Sequence, residues 1–130
     1  VLHMKLMEKM SYDENNIFAK ILKGEIPCKK IYEDDFVLSF YDINPQKKIH
    51  ALVIPKGKYI DLDDFATKAS SEEMVGLLKG INAVAKKLGI SVDTGKGYRA
   101  LTNVSEDGGQ EVPHLHFHLF GGEKVGKMVE

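Results

Sequence analysis

Apolar residues recur every three or four positions along one stretch of the chain, between Ser71 and Leu88. This spacing is that of one face of an α-helix, so the stretch predicts a long amphipathic helix. Ser70 and Glu73 have the spacing of a capping box at its start, and Gly89 marks its end. The apolar face consists of Met74, Leu77, Leu78, Ile81, Ala85 and Leu88.

Two glycines, Gly76 and Gly80, lie inside this helix on one side. A glycine in a helix interior costs about 1 kcal/mol relative to alanine, so the pair indicates that another element approaches closely there. That element is either the sheet or a partner helix, and the sequence leaves both open.

Shorter patterns predict one more helix and a sheet. After two asparagines, the segment 17–22 is apolar at helical spacing and Gly24 follows it. Segments rich in aromatic and β-branched residues predict strands at 30–33, 36–41, 49–54, 98–103 and 112–120, with a Gly-rich turn at 105–110. Because strands lie on both sides of one long helix, we expect an α+β domain with an about five-stranded, mostly antiparallel sheet.

The last predicted strand contains three histidines at alternate positions, His114, His116 and His118. Alternate side chains of a strand point to the same face, so the three imidazoles are expected to line one face. The apolar residues between and after them would line the other face and pack on the core. The pattern predicts a rigid floor whose histidines face a cavity.

Imidazole has a pKa of about 6.5, so it can act as nucleophile, acid or base near neutral pH. One neutral ring could attack phosphorus while protonated neighbours neutralise the phosphate oxygens. Two other interpretations stay open: a solvated strand with polar side chains, and a zinc site in which three imidazoles leave one coordination position free. Glu111 and His50 are the candidates for an additional zinc ligand.

The segment before the histidines supports binding of a phosphate. Gly108 and Gly109 have backbone amides that can approach an anion closely, and Asn103 could add an amide donor. Without the neighbouring histidines, a simple hairpin turn would explain the glycines better, and an isolated Asn103 is typical of a turn.

Composition and charge narrow the function classes. The 130 residues carry 18 basic and 19 acidic side chains and a formal net charge of −1, which argues against nucleic-acid and membrane-surface binders. No apolar run approaches the roughly 20 residues of a membrane span. Cys28 is the single cysteine, so an internal disulfide is excluded and a reducing cytoplasm is expected.

The string from Gly109 to Phe120 resembles the signature of the histidine-triad (HIT) family, His-x-His-x-His flanked by apolar residues. The resemblance is to the histidine-triad nucleotide-binding (Hint) branch, and it extends over segments 17–27, 32–35, 40–46 and 50–56. It implies a HIT-like fold with one long and one short helix, and a homodimer. Because the chain does not begin with Met, we expect residues 1–3 to precede a native Met4 and a single domain to cover 4–130.

The resemblance implies a hydrolase that cleaves the P–N bond of purine nucleoside phosphoramidates without metal or cofactor. His116 matches the nucleophile, which attacks the α-phosphate and forms a covalent nucleotidyl-histidine before water releases the nucleoside monophosphate. His118 matches the residue that contacts the phosphate oxygens. His114 matches the residue whose backbone carbonyl orients the nucleophile, and His50 matches a fourth histidine that completes the cluster.

The resemblance also implies a binding site for a purine nucleotide. Asp42 matches the carboxylate that accepts hydrogen bonds from the ribose hydroxyls. The apolar walls around the base match Ile17, Phe18, Phe40 and Ile43, which the residues alone would assign to the core. The phosphate-side loop matches Asn103, Gly109, Gln110, Glu111 and Val112.

The positions at which this sequence departs from the family pattern affect the choice of substrate rather than the identity of the nucleophile. Glu111 stands where many Hint proteins have a serine proposed to assist the leaving amine, and Lys58 stands at a position that is often histidine. The chain has no Trp, whereas some relatives use a C-terminal Trp, so residues 123–130 are expected to alter leaving-group selectivity. A nucleotide-binding regulatory module with incidental hydrolysis and a dinucleoside-polyphosphate hydrolase remain alternatives.

Overall fold

The computed structural model describes residues 11–128, so the predicted domain boundaries at 4 and 130 lie outside the described residues. The elements are α1 (Ile17–Leu22), β1 (Lys30–Glu33), β2 (Val37–Tyr41), β3 (Ile49–Pro55), α2 (Leu62–Lys68), α3 (Ser71–Lys87), β4 (Arg99–Leu101), α4 (Ser105–Gly108) and β5 (Phe117–Gly121). All strand pairs are antiparallel, in the order β1-β2-β3-β5-β4. The predicted α+β class and five-stranded sheet are confirmed. Across residues 11–128, no helix is long and apolar enough to cross a membrane.

Local hydrogen bonds explain where the two predicted helices begin. The hydroxyl of Ser70 accepts the N–H of Glu73, and the Glu73 carboxylate accepts the N–H of Ser70, which completes the capping box of α3. The side chain of Asn16 caps α1 by accepting the N–H of Ala19. Both helices therefore start as the sequence predicts, and α3 ends at Lys87, within one residue of the prediction.

The sequence pattern does not predict α2 and α4. The single side chain that α2 buries is Phe65, so this helix lacks the repeated apolar spacing that indicates a helix. Asp61 caps α2 by accepting the N–H of Asp64. The single turn of α4 replaces the predicted Gly-rich turn. It ends at Gly108, and the next residue, Gly109, has a φ of 76° in the left-handed region.

Each face of the sheet contributes to a separate apolar cluster, because side chains alternate along the strands. The larger cluster, here called the α3-side core, lies between the sheet and α2 and α3. It consists of Ile31, Val37, Ala51, Val53, Phe65, Leu77, Ile81, Val84, Leu115 and Leu119. The α1-side core, on the other face, consists of Phe18, Leu38, Phe40, Leu52 and Ile54.

The two glycines of α3 face the sheet. A Cβ at Gly76 would lie 2.4 Å from Cγ of Phe36, and a Cβ at Gly80 would lie 2.6 Å from Cγ2 of Val37. The sheet is therefore the closely approaching element, and these glycines are not available to pair with a partner helix.

The last strand is shorter than predicted, because β5 begins at Phe117 rather than at residue 112. Before this point the backbone forms hydrogen bonds outside the ladder. The N–H of Leu115 donates to the carbonyl of Tyr59, and the hydroxyl of Thr102 donates to the carbonyl of His116. Two of the three neighbouring histidines therefore precede the strand, and the predicted alternation along one regular strand is wrong.

Candidate active site

Three histidine rings gather beside the α1-side core. His118 of β5 lies opposite Leu52 of β3, and His50 lies two residues earlier on the same face of β3. The ring centroids of His50 and His118 are 5.2 Å apart, and those of His116 and His118 are 5.1 Å apart. Phe18 of α1 packs edge-on against His116 at 4.9 Å, so the helix supports the ring from the side.

The hydrogen bond at Nδ1 of His116 determines where this ring carries its hydrogen. Nδ1 lies 2.7 Å from the carbonyl oxygen of His114, which can only accept, so Nδ1 carries the hydrogen. The lone pair of the neutral ring is therefore on Nε2. The side chain of His116 is 6% exposed, and burial lowers its pKa, against the opposing effect of the His114 carbonyl. The ring is thus held neutral, with a nucleophilic Nε2.

The ring of His114 does not face a cavity, which corrects the prediction that three imidazoles share one open face. Its side chain is fully buried. Nε2 lies 2.9 Å from the carbonyl oxygen of Pro55, and Nδ1 lies 2.6 Å from the hydroxyl of Tyr12. Burial lowers the pKa of His114 to about 4. Both ring nitrogens are therefore occupied within the protein, and the backbone carbonyl of His114 is what reaches His116.

A chain of hydrogen bonds orients His118 through His50. The N–H of Gln46 donates to Nδ1 of His50 over 3.1 Å, so the hydrogen of this ring is on Nε2. Nε2 in turn donates to Nδ1 of His118 over 2.9 Å. His118 accepts at Nδ1 and therefore carries its own hydrogen on Nε2, where it can donate to an anion. Burial, followed by the neighbouring His116 and His50, lowers the pKa of His118 to about 4.

Asp42 joins the histidine cluster from the end of β2. One carboxylate oxygen accepts the N–H of Asn44 over 2.8 Å, and the other lies 3.4 Å from Nε2 of His50. Its own N–H donates to the carbonyl of His50 over 3.0 Å, which fixes the backbone. Because a carboxylate has about four lone-pair sites, the group can still accept hydrogen bonds from a ligand.

The four residues predicted as walls for a base divide into two buried and two exposed. Phe18 and Phe40 belong to the α1-side core, with ring centroids 5.6 Å apart. Ile17 is 41% exposed, and Ile43, next to Asp42, is 87% exposed. Phe40 is thus a core residue, as the residues alone indicate, whereas the two isoleucines are accessible to a ligand.

Gln110 secures the predicted phosphate-side loop. Its amide oxygen accepts the N–H of Ser105 over 3.0 Å, and its amide nitrogen donates to the carbonyls of Ile60 and Val112 over 2.7 and 3.0 Å. This side chain therefore holds the loop in place through contacts within the protein. Glu111 is exposed, and its charge acts to raise the pKa of His116.

The other predicted loop residues lie around this anchor. Gly108 is close to Asn103, since a Cβ on the glycine would lie 3.5 Å from the carbonyl carbon of Asn103. Gly109 is exposed, and Val112 packs against the α1-side core. Val112 thus attaches the end of the loop to the core that also contains Phe18.

A metal could be held by Asp42, His50 and His118, because one ligand atom from each lies within 4.8 Å of the others. This set differs from the predicted zinc set, in which His114 cannot take part. A metal at Nε2 of His50 would move the ring hydrogen to Nδ1, where it would face the N–H of Gln46. The hydrogen bonds therefore favour a proton rather than a metal at this nitrogen.

Two surface cavities of about 550 and 540 Å³ lie next to β1. Both are lined by Lys30, Glu33 and Lys56, and Glu33 forms an ion pair with each of the two lysines. No predicted site residue lines either cavity, so they are separate from the histidine cluster.

A comparison of the sequence with known protein families agrees with the arrangement of the histidines. A model of the HIT domain matches residues 23–125. The chain belongs to the HIT family. The resemblance inferred from the sequence is therefore confirmed.

Relatives of this HIT protein include both characterised and uncharacterised proteins. An uncharacterised HIT-like protein of Azospirillum brasilense is 51% identical over 119 residues, which cover 92% of this chain and 95% of the relative. A purine nucleoside phosphoramidase of Escherichia coli K12 is 40% identical over 117 residues, 89% and 94% of the two chains. The solved structure of a HIT family hydrolase from Clostridium thermocellum superposes with a TM-score of 0.80 at 38% identity, covering 91% and 99%. The predicted HIT-like fold is thus confirmed.

Several residues of this HIT protein that were not predicted as site residues contact the histidines, among them the carbonyl of Pro55 at Nε2 of His114. Tyr12 and Gln46 bind ring nitrogens, and Thr102 binds the carbonyl of His116. Gln46 contributes only its backbone N–H, so its side chain carries no signal. Tyr12 is 102 residues from its partner His114, a separation at which no local pattern links two residues.

Proposed function

We propose that this protein is a nucleotide hydrolase that cleaves the P–N bond of purine nucleoside phosphoramidates. The observation that carries the proposal is the hydrogen bond from Nδ1 of His116 to the carbonyl of His114, because it leaves a neutral, nucleophilic Nε2. The names of two relatives, a phosphoramidase and a HIT family hydrolase, support hydrolysis.

The proposed reaction has two displacements at the α-phosphorus. In the first, the lone pair on Nε2 of His116 forms a bond to phosphorus, the P–N bond breaks, and the leaving amine takes a proton. In the second, water attacks phosphorus and the bond to Nε2 breaks, which releases the nucleoside monophosphate, the neutral ring and a proton from the water to solvent. The ring is positively charged in the intermediate, so its Nδ1–H bond to the His114 carbonyl becomes charge-assisted and stronger.

Other residues of the cluster suit the remaining parts of such a substrate. The N–H at Nε2 of His118 is a donor for a phosphate oxygen, and the bond from His50 keeps it in that orientation. Asp42 offers a carboxylate to the ribose hydroxyls, and the exposed Ile17 and Ile43 offer apolar surface to a base. A hydrophobic surface of this kind discriminates little between purines.

The leaving amine needs a proton, and Glu111 is an exposed acid at the predicted position of the amine-assisting group. A protonated Glu111 could donate it, whereas an ionised Glu111 would repel the phosphate. Glu111→Gln distinguishes these roles, since loss of a donor lowers kcat whereas loss of repulsion lowers KM.

The test is hydrolysis of adenosine 5′-phosphoramidate without added metal, followed as release of adenosine monophosphate. We expect turnover by the wild type and none by His116→Gly, with partial recovery when imidazole is added to fill the vacated site. Retained binding of the monophosphate by the variant serves as the folding control. Turnover by His116→Gly at the wild-type rate, without imidazole, would contradict the proposal.

We also propose a homodimer. Two apolar side chains of α3, Val75 and Leu78, are 52% and 68% exposed and lie one turn apart on its outer side. Gly76 and Gly80 face the sheet instead, so they do not contribute. The molar mass measured by light scattering tests this: we expect a dimer for the wild type and a monomer for Leu78→Asp. A wild-type monomer would refute it.

A reducing cytoplasm stays our proposal for the compartment. Cys28 is a free, partly buried cysteine, and as the single cysteine it cannot form an internal disulfide. Fractionation of cells that express the intact protein tests this, and recovery outside the cytoplasm would contradict it.

A further inference from the structure

Tyr12 precedes α1 in the sequence, and its side chain contacts His114. Its hydroxyl is 2.6 Å from Nδ1 of His114, and the two rings meet edge-on with centroids 5.6 Å apart. Tyr12 is partly buried, although its neighbours on both sides are exposed. The contact therefore ties an otherwise exposed segment to the interior of the histidine cluster.

The direction of this hydrogen bond follows from the other side of the ring. The carbonyl oxygen of Pro55 can only accept, so Nε2 of His114 carries the hydrogen and Nδ1 has the lone pair. The hydroxyl of Tyr12 must then donate to Nδ1. Burial raises the pKa of Tyr12, which keeps the hydroxyl protonated and able to donate.

His114 links this bond to the nucleophile proposed above. Its ring is held at one end by Pro55 and at the other by Tyr12, while its backbone carbonyl accepts Nδ1–H of His116. Phe18 packs edge-on against both rings, at 6.3 Å from His114 and 4.9 Å from His116. Movement of the His114 ring is therefore expected to move the carbonyl that determines the orientation of His116.

The segment that contains Tyr12 has its own anchors. Asn16 donates to the carbonyl of Asp13 over 2.7 Å and also caps α1. Lys58 forms an ion pair with Glu14 on the surface. Tyr12 is thus positioned by a short, hydrogen-bonded segment that leads into the helix supporting His116.

We infer that Tyr12 is a positioning residue for the nucleophile: its hydroxyl, acting through the His114 ring, fixes the carbonyl that aligns His116. The inference rests on the proposed role of His116. Tyr12 itself touches the buried ring of His114 rather than the carboxylate or the exposed isoleucines expected to hold the nucleotide. Its loss should therefore affect the reaction rate more than binding.

The test compares Tyr12→Phe with Tyr32→Phe, because the hydroxyl of Tyr32 also makes a side-chain hydrogen bond, to Asp34, but away from the histidines. For Tyr12→Phe we expect kcat to fall about tenfold while affinity for adenosine monophosphate stays within about twofold. For Tyr32→Phe we expect kcat within about twofold of the wild type. Melting temperatures of both variants separate loss of stability from loss of alignment.

A second measurement does not depend on turnover. The imidazole hydrogen at Nδ1 of His116 is followed by NMR in the unliganded protein, and its exchange with solvent is expected to be faster in Tyr12→Phe than in the wild type or Tyr32→Phe. Unchanged exchange, or a kcat of Tyr12→Phe within about twofold of the wild type, would overturn the inference. If the wild type shows no turnover, the proposed function fails, whereas the exchange rates still test the role of Tyr12.

Discussion

Mild acid is expected to destabilise the protein through His114. This ring is fully buried between Pro55 and Tyr12, and burial lowers its pKa to about 4. In the unfolded chain the pKa of a histidine is about 6.5. Between these two values the unfolded state binds a proton that the folded state does not. The stability associated with the neutral ring is therefore present above about pH 6.5 and is lost as the pH falls toward about 4.

The size of the effect follows from the two pKa values. A change from about pH 7 to about pH 5 lowers the free energy of unfolding by about 2 kcal/mol for one such histidine. The lowered pKa of His118, which is partly exposed, adds a smaller loss in the same direction. Carboxylates with lowered pKa, such as those of Asp34 and Glu73, titrate mainly below this range and contribute little.

The assay is urea unfolding of the wild type and of His114→Gln at the two pH values. Between about pH 7 and about pH 5, the free energy of unfolding of the wild type is expected to fall by about 2 kcal/mol more than that of the variant. This comparison holds even if the two proteins differ in stability at neutral pH. A wild-type loss below about 0.5 kcal/mol, or an equal loss in the variant, would refute the assignment of His114 as a buried neutral ring.

Three further predictions concern the ligand, the core and a helix end. Asp42→Ala should weaken binding of adenosine monophosphate by about 1–3 kcal/mol in calorimetry if the carboxylate holds the ribose hydroxyls, and unchanged affinity would remove that role. Gly80→Ala should lower the free energy of unfolding by about 1–3 kcal/mol, because the new Cβ would lie 2.6 Å from Cγ2 of the fully buried Val37. Urea unfolding measures this change, and a more stable variant would show that helix propensity outweighs the close contact. Ser70→Ala should destabilise by about 1 kcal/mol through loss of the bond to the N–H of Glu73, whereas an unchanged unfolding midpoint would mean that the cap is dispensable.

Elements with strong local signals could be predicted from the sequence. The capping box of Ser70 and Glu73 and a repeated apolar face determine α3 locally, and alternation and turn residues do the same for β1 to β3. By contrast, α2 buries one side chain, so its periodicity is weak even though Asp61 caps it. The start of β5 depends on which distant groups bind the backbone, such as the carbonyl of Tyr59, and no local pattern contains that information.

The candidate site also has some features that could be predicted from the sequence and others that could not. The sequence shows that His114, His116 and His118 belong together, but a period of two predicts one shared face. The structure instead turns the ring of His114 into the interior, because the carbonyl of Pro55 and the hydroxyl of Tyr12 bind it there. The position of each ring hydrogen likewise depends on partners far apart in the chain, so it follows only from the three-dimensional contacts.

The most direct measurement is the identity of the covalent intermediate. Wild-type protein is mixed with adenosine 5′-phosphoramidate, quenched within one turnover and analysed by mass spectrometry of its peptides, with His116→Ala treated in parallel. We expect one adenylyl group on His116 of the wild type and none on the variant. Turnover without an adenylylated protein, or an adenylyl group on another histidine such as His118, would contradict it.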